Sequence, residues 1–475
     1  MNKIIQSIKY LTILTIFGYL LSLLRISILA RLLSPSVFGI FSLAVILDKA
    51  LQSLTSVGTE KYLIQKNEIT NELIGGVWYF NIIRGIVICV LLIATGSFYS
   101  RIVNDPSVFP VLVIISFASF FRGMVSPGTF LLERNIKYKK IAIYEFCVSC
   151  VDVFAVVVFA LIFKNVKALA WGIVATSVFR ACLSFIIFPI RFTPRIQLSI
   201  FKELIGIGKH FIILGIGSFI MMQSDKLIIG TICGSDALGL YSVAIRLTQM
   251  PLNILRKIVN RIALPVFSRL QFQKEQLRNT TMKVIKIQMA ILIPIIIFLL
   301  SSAEPLVLII CGEEWIDAVP IVKALVLVVL GKGLAHVVVP YIMGTGNYSF
   351  ISKIKIVEVV IFVIGVIVGI YYYNVVGAAL GAGFGYLVAA LFRLIFLCKH
   401  SKIDVKEICI IMLIPAICMV PGFFINYYVI NFYSFIQTYN LLIILFIYLM
   451  TYFIGSCFFQ KDIVQYFKQL SPFNE

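Results

Sequence analysis

Long runs of apolar residues, separated by short polar segments, recur along the whole chain. A helix needs about 20 mostly apolar residues to cross the roughly 30 Å hydrocarbon core of a bilayer. The 475-residue sequence holds fourteen runs of about this length, and each predicts a membrane-spanning helix. The predicted spans are residues 10–32, 36–58, 74–97, 109–131, 142–163, 169–190, 210–232, 239–262, 287–304, 318–344, 356–373, 377–398, 408–428 and 438–459. The predicted fold class is therefore an all-α polytopic membrane protein.

The composition supports this prediction and excludes other classes of protein. Hydrophobic residues make up 61% of the chain and charged residues only 13%, against about 25% charged residues in a typical soluble domain. A soluble globular protein, a disordered chain and a coiled coil are therefore excluded. Little exposed polar surface remains to bind nucleic acid, and no nucleic-acid partner is expected.

The few charges are strongly biased towards the positive, with 41 Lys and Arg against 21 Asp and Glu. Lys and Arg concentrate in the cytoplasmic loops of membrane proteins. If the N-terminus is cytoplasmic, the basic segments 134–140 and 256–278 lie inside, and only Arg101, Lys164 and Lys167 fall in outer loops. The sequence therefore predicts that the N- and C-termini are both cytoplasmic.

Two segments of the chain resemble each other at an offset of 200 residues. Residues 30–47 (ARLLSPSVFGIFSLAVIL) align without a gap to residues 230–247 (GTICGSDALGLYSVAIRL). The first copy joins predicted helices one and two, and the second joins helices seven and eight. Because an even number of helices separates the copies, both halves have the same orientation in the membrane. Transporters built from such parallel repeats enclose a central substrate site and rock about it.

The repeat predicts how the chain is divided. Residues 1–200 would form an N-terminal six-helix bundle and residues 201–400 a C-terminal six-helix bundle. Residues 401–475 would add two further transmembrane helices and a short cytoplasmic tail.

The two copies carry the motifs of a known family. The first, ISILARLLSPSVFGIFSLAVIL (residues 26–47), resembles the opening motif of bacterial polysaccharide transporters, the Wzx-type flippases of O-antigen and exopolysaccharide repeat units. The second, DKLIIG (225–230) running to LGLYSVAIRL (238–247), is similar to the second-half motif of that family. Pro251 and LPVFSRLQ (264–271) extend this similarity.

The resemblance implies a fold, a function and a set of partners. The fold would be MATE-like, with two six-helix bundles plus two C-terminal helices. The protein would translocate undecaprenyl-pyrophosphate-linked oligosaccharide repeat units from the cytoplasmic to the outer face of the bacterial inner membrane, for lipopolysaccharide, O-antigen or exopolysaccharide synthesis. Its partners would be that lipid-linked oligosaccharide and membrane lipids, and the candidate protein partners are a polysaccharide polymerase and a chain-length regulator.

Several charged residues fall inside the predicted spans, where they are costly and usually face a bundle interior or a watery cavity. Arg25, Arg84, Arg122 and Arg246 lie well within their spans. Arginine stays protonated when it is desolvated, and its planar guanidinium suits the paired oxygens of phosphate. These four residues are the candidates for a cationic cavity that binds a pyrophosphate headgroup.

Internal ion pairs are the alternative explanation for these arginines. The arginines of the third and fourth spans could pair with Glu145 or Asp152, which are seven residues apart on one helix face. Pairing is favoured for those two arginines. Substrate contact is favoured for Arg25 and Arg246, because they lie on the helices that carry the repeat.

Asp48, Asp225 and His336 are the candidates for ion coupling. Each of the two acids lies within a predicted span and adjoins a lysine, so internal charge neutralisation is an equal alternative for both. His336 is four residues from Lys332 and shares a helix face with it. Imidazole titrates near neutral pH, although packing in the helix bundle is favoured for this histidine.

The motifs of enzymes and of nucleotide-driven pumps are absent from the sequence. There is no G-x-x-x-x-G-K-[ST], no G-x-S-x-G and no His/Cys spacing typical of a metal site. No catalytic residue, cofactor or metal is therefore expected. Energy would come from an ion gradient, the membrane potential or the supply and removal of substrate.

Two other functions compete with the flippase. A cation-coupled multidrug exporter of the same superfamily is the alternative, and it predicts a more acidic cavity than these arginines allow. A membrane enzyme such as a polysaccharide polymerase is a third class. Polymerases of that pathway usually carry a sizeable outer loop, whereas no predicted outer loop here exceeds about a dozen residues.

Overall fold

The computed structural model describes residues 2–66, 68–135, 138–189 and 198–432. Within these ranges the chain is helical and contains no strand. The elements are α1 (Asn2–Leu32), α2 (Pro35–Leu54), α3 (Thr59–Gln65), α4 (Asn71–Ile102), α5 (Val108–Gly123), α6 (Gly128–Arg134), α7 (Tyr138–Phe163), α8 (Val166–Ile187), α9 (Leu198–Ile232), α10 (Gly234–Leu270), α11 (Lys274–Ser301), α12 (Ala303–Ile310), a short 3-10 helix (Glu313–Trp315), α13 (Ala318–Gly344), α14 (Tyr348–Ser401) and α15 (Val405–Phe432).

Each of the first thirteen predicted spans overlaps one or more of these helices. Agreement is complete at 318–344, which is α13. By length and composition, seven helices in the described ranges are suited to crossing a membrane: α2, α4, α7, α8, α11, α13 and α14. The all-α, multi-pass fold class is confirmed. The last predicted span, 438–459, lies outside the described residues, and the total of fourteen stays a prediction.

Two helices differ from the predicted spans in continuity. The span 109–131 is divided, because α5 ends at Gly123 and α6 begins at Gly128. Pro127 disfavours a helical conformation at the preceding Ser126, and Ser126 is fully buried with its hydroxyl donating to the carbonyl of Phe188. Conversely, α14 covers two predicted spans, 356–373 and 377–398. Its helical conformation is interrupted at Tyr373 and Asn374, close to the turn predicted between these spans.

The chain divides into two compact units, Met1–Ser242 and Val243–Glu475. The division at residues 200 and 400, inferred from the repeat, stays a prediction. In the second unit, a hydrophobic core joins α10, α11, α13, α14 and α15 around the fully buried Phe267 and Tyr341. The same unit buries an ion pair, in which Arg393 donates to Glu358 over 2.6 Å.

Within the first unit, the two repeat copies contact each other at equivalent positions. A methyl group on Gly39 would overlap the carbonyl oxygen of Ser235, and one on Gly239 would overlap that of Pro35. Residues 35 and 235 are themselves equivalent in the repeat, so the contact is reciprocal. Only a glycine permits this approach of α2 and α10 at both points.

A second close contact joins α4 and α5. A Cβ atom on Gly85 would lie 2.9 Å from the carbonyl oxygen of Ser119, and one on Gly123 would overlap the carbonyl oxygen of Asn81. The two helices therefore pack backbone against backbone at these glycines. This contact determines where the arginines that precede each glycine are placed.

Candidate functional site

A polar cavity of about 390 Å³ lies in the first unit, between α2, α4, α5 and α9. The start of α3 and the side chain of Phe130 on α6 also line it. Two of the four candidate arginines, Arg84 and Arg122, line this cavity. Its other polar side chains include Gln52, Thr59, Glu60, Asn81, Ser119 and Ser218.

Arg84 is fixed in the cavity by neutral groups. Its Nε donates to the hydroxyl of Thr55 over 3.1 Å, and its Nη2 donates to the backbone carbonyl of Gln52 over 2.9 Å. Among the described residues, no carboxylate lies within ion-pair distance of this guanidinium. The side chain is therefore held in one orientation while its charge is left without a direct counterion.

Arg122 has a counterion in Asp48. Its Nη1 donates to Asp48 Oδ2 over 2.8 Å, and the Asp48 side chain is only 4% exposed against 30% for Arg122. Two neutral groups also donate to this carboxylate, Ser119 over 2.7 Å and Gln52 over 2.8 Å. The carboxylate is thus satisfied beneath the cavity wall, and the arginine extends from it into the cavity.

The local sequence explains why Arg84 and Arg122 line the same cavity. Each precedes a glycine, in the dipeptides Arg84-Gly85 and Arg122-Gly123, and no other Arg-Gly dipeptide occurs in the chain. Because the two glycines allow α4 and α5 to touch, the preceding side chains enter the same space between the helices. These dipeptides are the signal in the sequence that would have selected this pair over the other arginines.

Polar contacts join the segment around α3 to α4 and α9. The hydroxyl of Thr59 donates to Asn81 Oδ1 over 3.2 Å. The last turn of α3 is followed by Lys66, whose ammonium donates to Glu203 on α9 over 2.6 Å and to the Tyr62 hydroxyl over 2.7 Å. The hydrogen bond from Lys66 lowers the pKa of the Glu203 carboxyl, and the same bond raises the pKa of Lys66. Both partners are therefore charged at neutral pH.

Arg25 lies in an ion pair instead of the cavity wall. Its Nη1 donates to Asp152 Oδ2 over 2.6 Å, and the hydroxyl of Thr176 donates to the other oxygen of Asp152 over 3.2 Å. The other acid considered as a partner for the cavity arginines, Glu145, pairs with Arg180 through two hydrogen bonds of 2.7 and 3.0 Å. Pairing is thus the arrangement found for Arg25, and the acids of α7 are not the partners of Arg84 and Arg122.

The remaining candidates have separate surroundings. Asp225 is buried in the first unit and accepts a hydrogen bond of 2.8 Å from the hydroxyl of Tyr241. Arg246 and His336 belong to the second unit, where Arg246 is exposed. His336 is half-buried, and its Nδ1 has no hydrogen-bond partner among the described residues. Of the seven candidate residues, the cavity in the first unit therefore gathers Arg84 and Arg122, with Asp48 directly behind Arg122.

The chemistry available in this cavity is that of binding. In the described part of the chain, no group of three or more His, Cys, Asp or Glu side chains is arranged to hold a metal ion. Two guanidinium groups, two side-chain amides and four hydroxyls line this volume, together with one carboxylate, that of Glu60. Such an arrangement can hold an anionic, oxygen-rich group and release it unchanged.

Comparisons with known proteins agree with this description. The chain is 21% identical to the lipopolysaccharide biosynthesis protein WzxC of Escherichia coli strain K12, over 80% of this chain and 78% of that protein. Its fold is similar to that of the lipid II flippase MurJ in an inward closed conformation, with a TM-score of 0.79 at 14% identity over 96% of this chain and 99% of that one. It is also similar to a multidrug resistance MATE family transporter in an inward-facing conformation, with a TM-score of 0.60 at 15% identity over 81% and 94% of the chains.

The structural similarities establish a MATE-like fold, as the sequence motifs predict. Residues 28–320 match the family described as polysaccharide biosynthesis protein. This match includes both repeat copies and every residue that lines the cavity. The chain belongs to the polysaccharide biosynthesis protein family.

Proposed function

We propose that the protein is a flippase for undecaprenyl-pyrophosphate-linked oligosaccharide repeat units. It moves them from the cytoplasmic to the outer face of the bacterial inner membrane, for the synthesis of a surface polysaccharide. The observation that carries the proposal is the Arg84 guanidinium, which lies in a polar cavity without a carboxylate partner in the described part of the chain. Family membership and the MurJ-like fold support it.

The physical argument concerns the charge of the substrate headgroup. A buried cation is costly unless an anion compensates it. Arg84 has its Nε and Nη2 occupied by Thr55 and Gln52, so the rest of its guanidinium is available to the cavity. A pyrophosphate supplies both the missing negative charge and the paired oxygens that guanidinium binds. The lipid tail would remain in the bilayer, beside the cavity.

Translocation would follow alternating access, as in other transporters built from repeats. The positive charge of the predicted loops supports an orientation in which both termini, α3 and the Lys66–Glu203 pair are cytoplasmic. Under this orientation the headgroup enters past α3 and reaches Arg84 and Arg122. A polysaccharide polymerase and a chain-length regulator would take over the repeat units at the outer face.

Arg25 and Arg246 remain proposed contacts of the headgroup at other stages of transport. Arg25 would have to exchange Asp152 for the substrate to take that role. Asp48, Asp225 and His336 remain the proposed residues for coupling to an ion. For each of these five, the test is loss of surface polysaccharide in a variant that still reaches the membrane.

A cation-coupled multidrug exporter is the second function that this fold supports, and the MATE transporter similarity is the observation in its favour. Its substrates are typically cations, and a cavity lined by Arg84 and Arg122 repels them. Drug susceptibility of a deletion strain distinguishes the two functions, because only the exporter predicts a change.

The proposal is tested by replacing Arg84 with alanine in cells that depend on this protein for a surface polysaccharide. The expected result is loss of the polysaccharide while the protein remains in the membrane fraction. Arg180→Ala is the matched control, because Arg180 is an arginine of the same unit that pairs with Glu145 and does not line the cavity. Normal polysaccharide in the Arg84→Ala strain would refute the role of this cavity.

A further inference from the structure

The ion pair between Arg122 and Asp48 differs from the pair between Arg180 and Glu145 in the first unit. It consists of a single hydrogen bond, from Nη1 to Oδ2, although guanidinium and carboxylate can bind through two parallel bonds. The Arg180–Glu145 pair has both bonds, at 2.7 and 3.0 Å. The rest of the Arg122 guanidinium has no partner in the described part of the chain and borders the cavity.

Among the described residues, the Asp48 carboxylate has two neutral donors besides its arginine, whereas Asp152 has one, the hydroxyl of Thr176. Ser119 donates to Oδ1, and Gln52 donates to the same oxygen, Oδ2, as Arg122 does. If Arg122 turned away, two hydrogen bonds would remain on the buried carboxylate. The cost of separating this pair is therefore smaller than for a buried carboxylate whose only donor is its ion-pair partner.

We propose that Asp48 is an exchangeable internal ligand of Arg122, which competes with the diphosphate of the substrate for this guanidinium. When a diphosphate enters the cavity, Arg122 turns to it, and Asp48 stays bound to Ser119 and Gln52. When the headgroup leaves, Asp48 recaptures Arg122. Asp48 is thus a positioning residue that weakens headgroup binding and speeds headgroup release. This inference rests on the proposed function.

Under this proposal, Arg84 and Arg122 contribute to anion binding in different ways. No carboxylate in the described part of the chain pairs with Arg84 and competes with an anion for it, so Arg84 contributes to anion binding throughout the cycle. Arg122 also contributes affinity for the anion, but Asp48 competes for the same guanidinium, so this contribution is weaker and the anion is released more readily. A site with two permanently unpaired arginines would bind a diphosphate tightly in both access states and would release it slowly, which is unfavourable for a transporter.

The test is a double-mutant cycle on the purified full-length protein, with inorganic pyrophosphate as the probe in a calorimetric titration. Asp48→Asn is expected to tighten pyrophosphate binding by about tenfold, the value of one charge-assisted hydrogen bond. The same substitution is expected to have no effect in an Arg122→Gln background. Glu145→Gln is the control, because Glu145 pairs with Arg180 outside the cavity lining and its loss is expected to leave pyrophosphate affinity unchanged.

Translocation supplies a second readout that a structural role would not produce. Asp48→Asn is expected to lower both the half-saturating substrate concentration and the maximal rate, since tighter binding slows release. Asp48→Glu, which restores the carboxylate, is expected to reverse both changes. An Asp48→Asn protein that binds pyrophosphate as weakly as the Arg122→Gln protein would overturn the proposal.

If Asp48→Asn does not fold, Ser119→Ala tests the same claim. Removing this donor makes Asp48 more dependent on Arg122, so pyrophosphate affinity is expected to fall several-fold, and only when Arg122 is present. A loss that persists in the Arg122→Gln background would contradict the competition. Absence of pyrophosphate binding by the wild-type protein would instead refute the proposed function, whereas wild-type binding with no gain in Asp48→Asn would refute the internal ligand alone.

Discussion

The hydroxyl of Ser42 donates a hydrogen bond of 3.0 Å to the hydroxyl of Ser242, at a separation of 200 residues along the chain. The two serines are the same position in the two copies of the repeat. Ser36 and Ser235 form a second contact between the copies, at 3.4 Å. The repeated segments thus face each other across a small, glycine-permitted interface within the first unit.

A disulfide across this interface is predicted to stop transport reversibly. In the double variant Ser42→Cys/Ser242→Cys the side chains meet, so mild oxidation should cross-link them. If alternating access separates α2 from α10 at this point, the cross-linked protein cannot complete its cycle. The measurement is translocation by the reconstituted double variant before oxidation, after oxidation and after reduction.

Each single cysteine variant controls for the effects of substitution and oxidation. Transport is expected to fall only in the oxidised double variant and to return with reductant. Undiminished transport by the cross-linked protein would show that this contact persists throughout the cycle.

A single methyl group at Gly123 is predicted to damage the cavity. It would overlap the carbonyl oxygen of Asn81 on α4, so α4 and α5 must separate and Arg84 must move away from Arg122. Overpacking of this kind costs about 1–3 kcal/mol. The expected result for Gly123→Ala is a lower melting temperature of the purified protein and loss of surface polysaccharide.

Gly217→Ala is the matched control for that substitution, because a Cβ on this α9 glycine would meet nothing within 4 Å. Alanine favours a helix over glycine by about 1 kcal/mol, so this variant should be as stable as the wild type or more so. Equal melting temperatures for the two alanine variants would mean that the α4–α5 contact is looser than the structure describes.

Exchange of the charges in the Arg25–Asp152 pair distinguishes a structural role from substrate contact. Arg25→Ala leaves Asp152 with only the hydroxyl of Thr176 as a donor, so we expect less protein in the membrane. Breaking a buried ion pair costs about 3–5 kcal/mol, and this partly exposed pair should cost less. The exchanged variant Arg25→Asp/Asp152→Arg should recover the amount of protein but not the polysaccharide, because Arg25 is a proposed contact of the headgroup.

The measurements for this pair are the amount of protein in the membrane and the amount of surface polysaccharide. If the pair is purely structural, the exchanged variant should instead restore both the protein and the polysaccharide. That outcome would remove Arg25 from the proposed substrate contacts.

The fold could be predicted largely from the sequence, because the length of an apolar run is a physical requirement of the bilayer. The match of α13 to residues 318–344 shows how far this requirement determines the helices. The division of residues 109–131 was not predicted, since hydropathy does not register the effect of Pro127 on its neighbour. The short helix α3 was also missed, because it is only seven residues long and lies between spans.

The sequence named four arginines as candidates for the site, and two of them, Arg84 and Arg122, line the cavity. Burial of arginine in an apolar span indicates either pairing or function, and the sequence cannot show which acid is within reach. Asp152 proved to be the partner of Arg25 and Asp48 that of Arg122. The choice depends on which helices touch, and small residues such as Gly85 determine that contact in three dimensions.

The central claim is that Arg84 binds the pyrophosphate of a lipid-linked oligosaccharide during translocation. The most direct test is reconstitution of the purified protein in liposomes with an undecaprenyl-pyrophosphate oligosaccharide that carries a fluorescent sugar, with transport followed by an impermeant quencher. We expect the wild-type protein to translocate the labelled sugar, Arg84→Gln to do so at least about tenfold more slowly because charge-assisted hydrogen bonds are lost, and Arg180→Gln to resemble the wild type. Translocation by Arg84→Gln at the wild-type rate would contradict the claim.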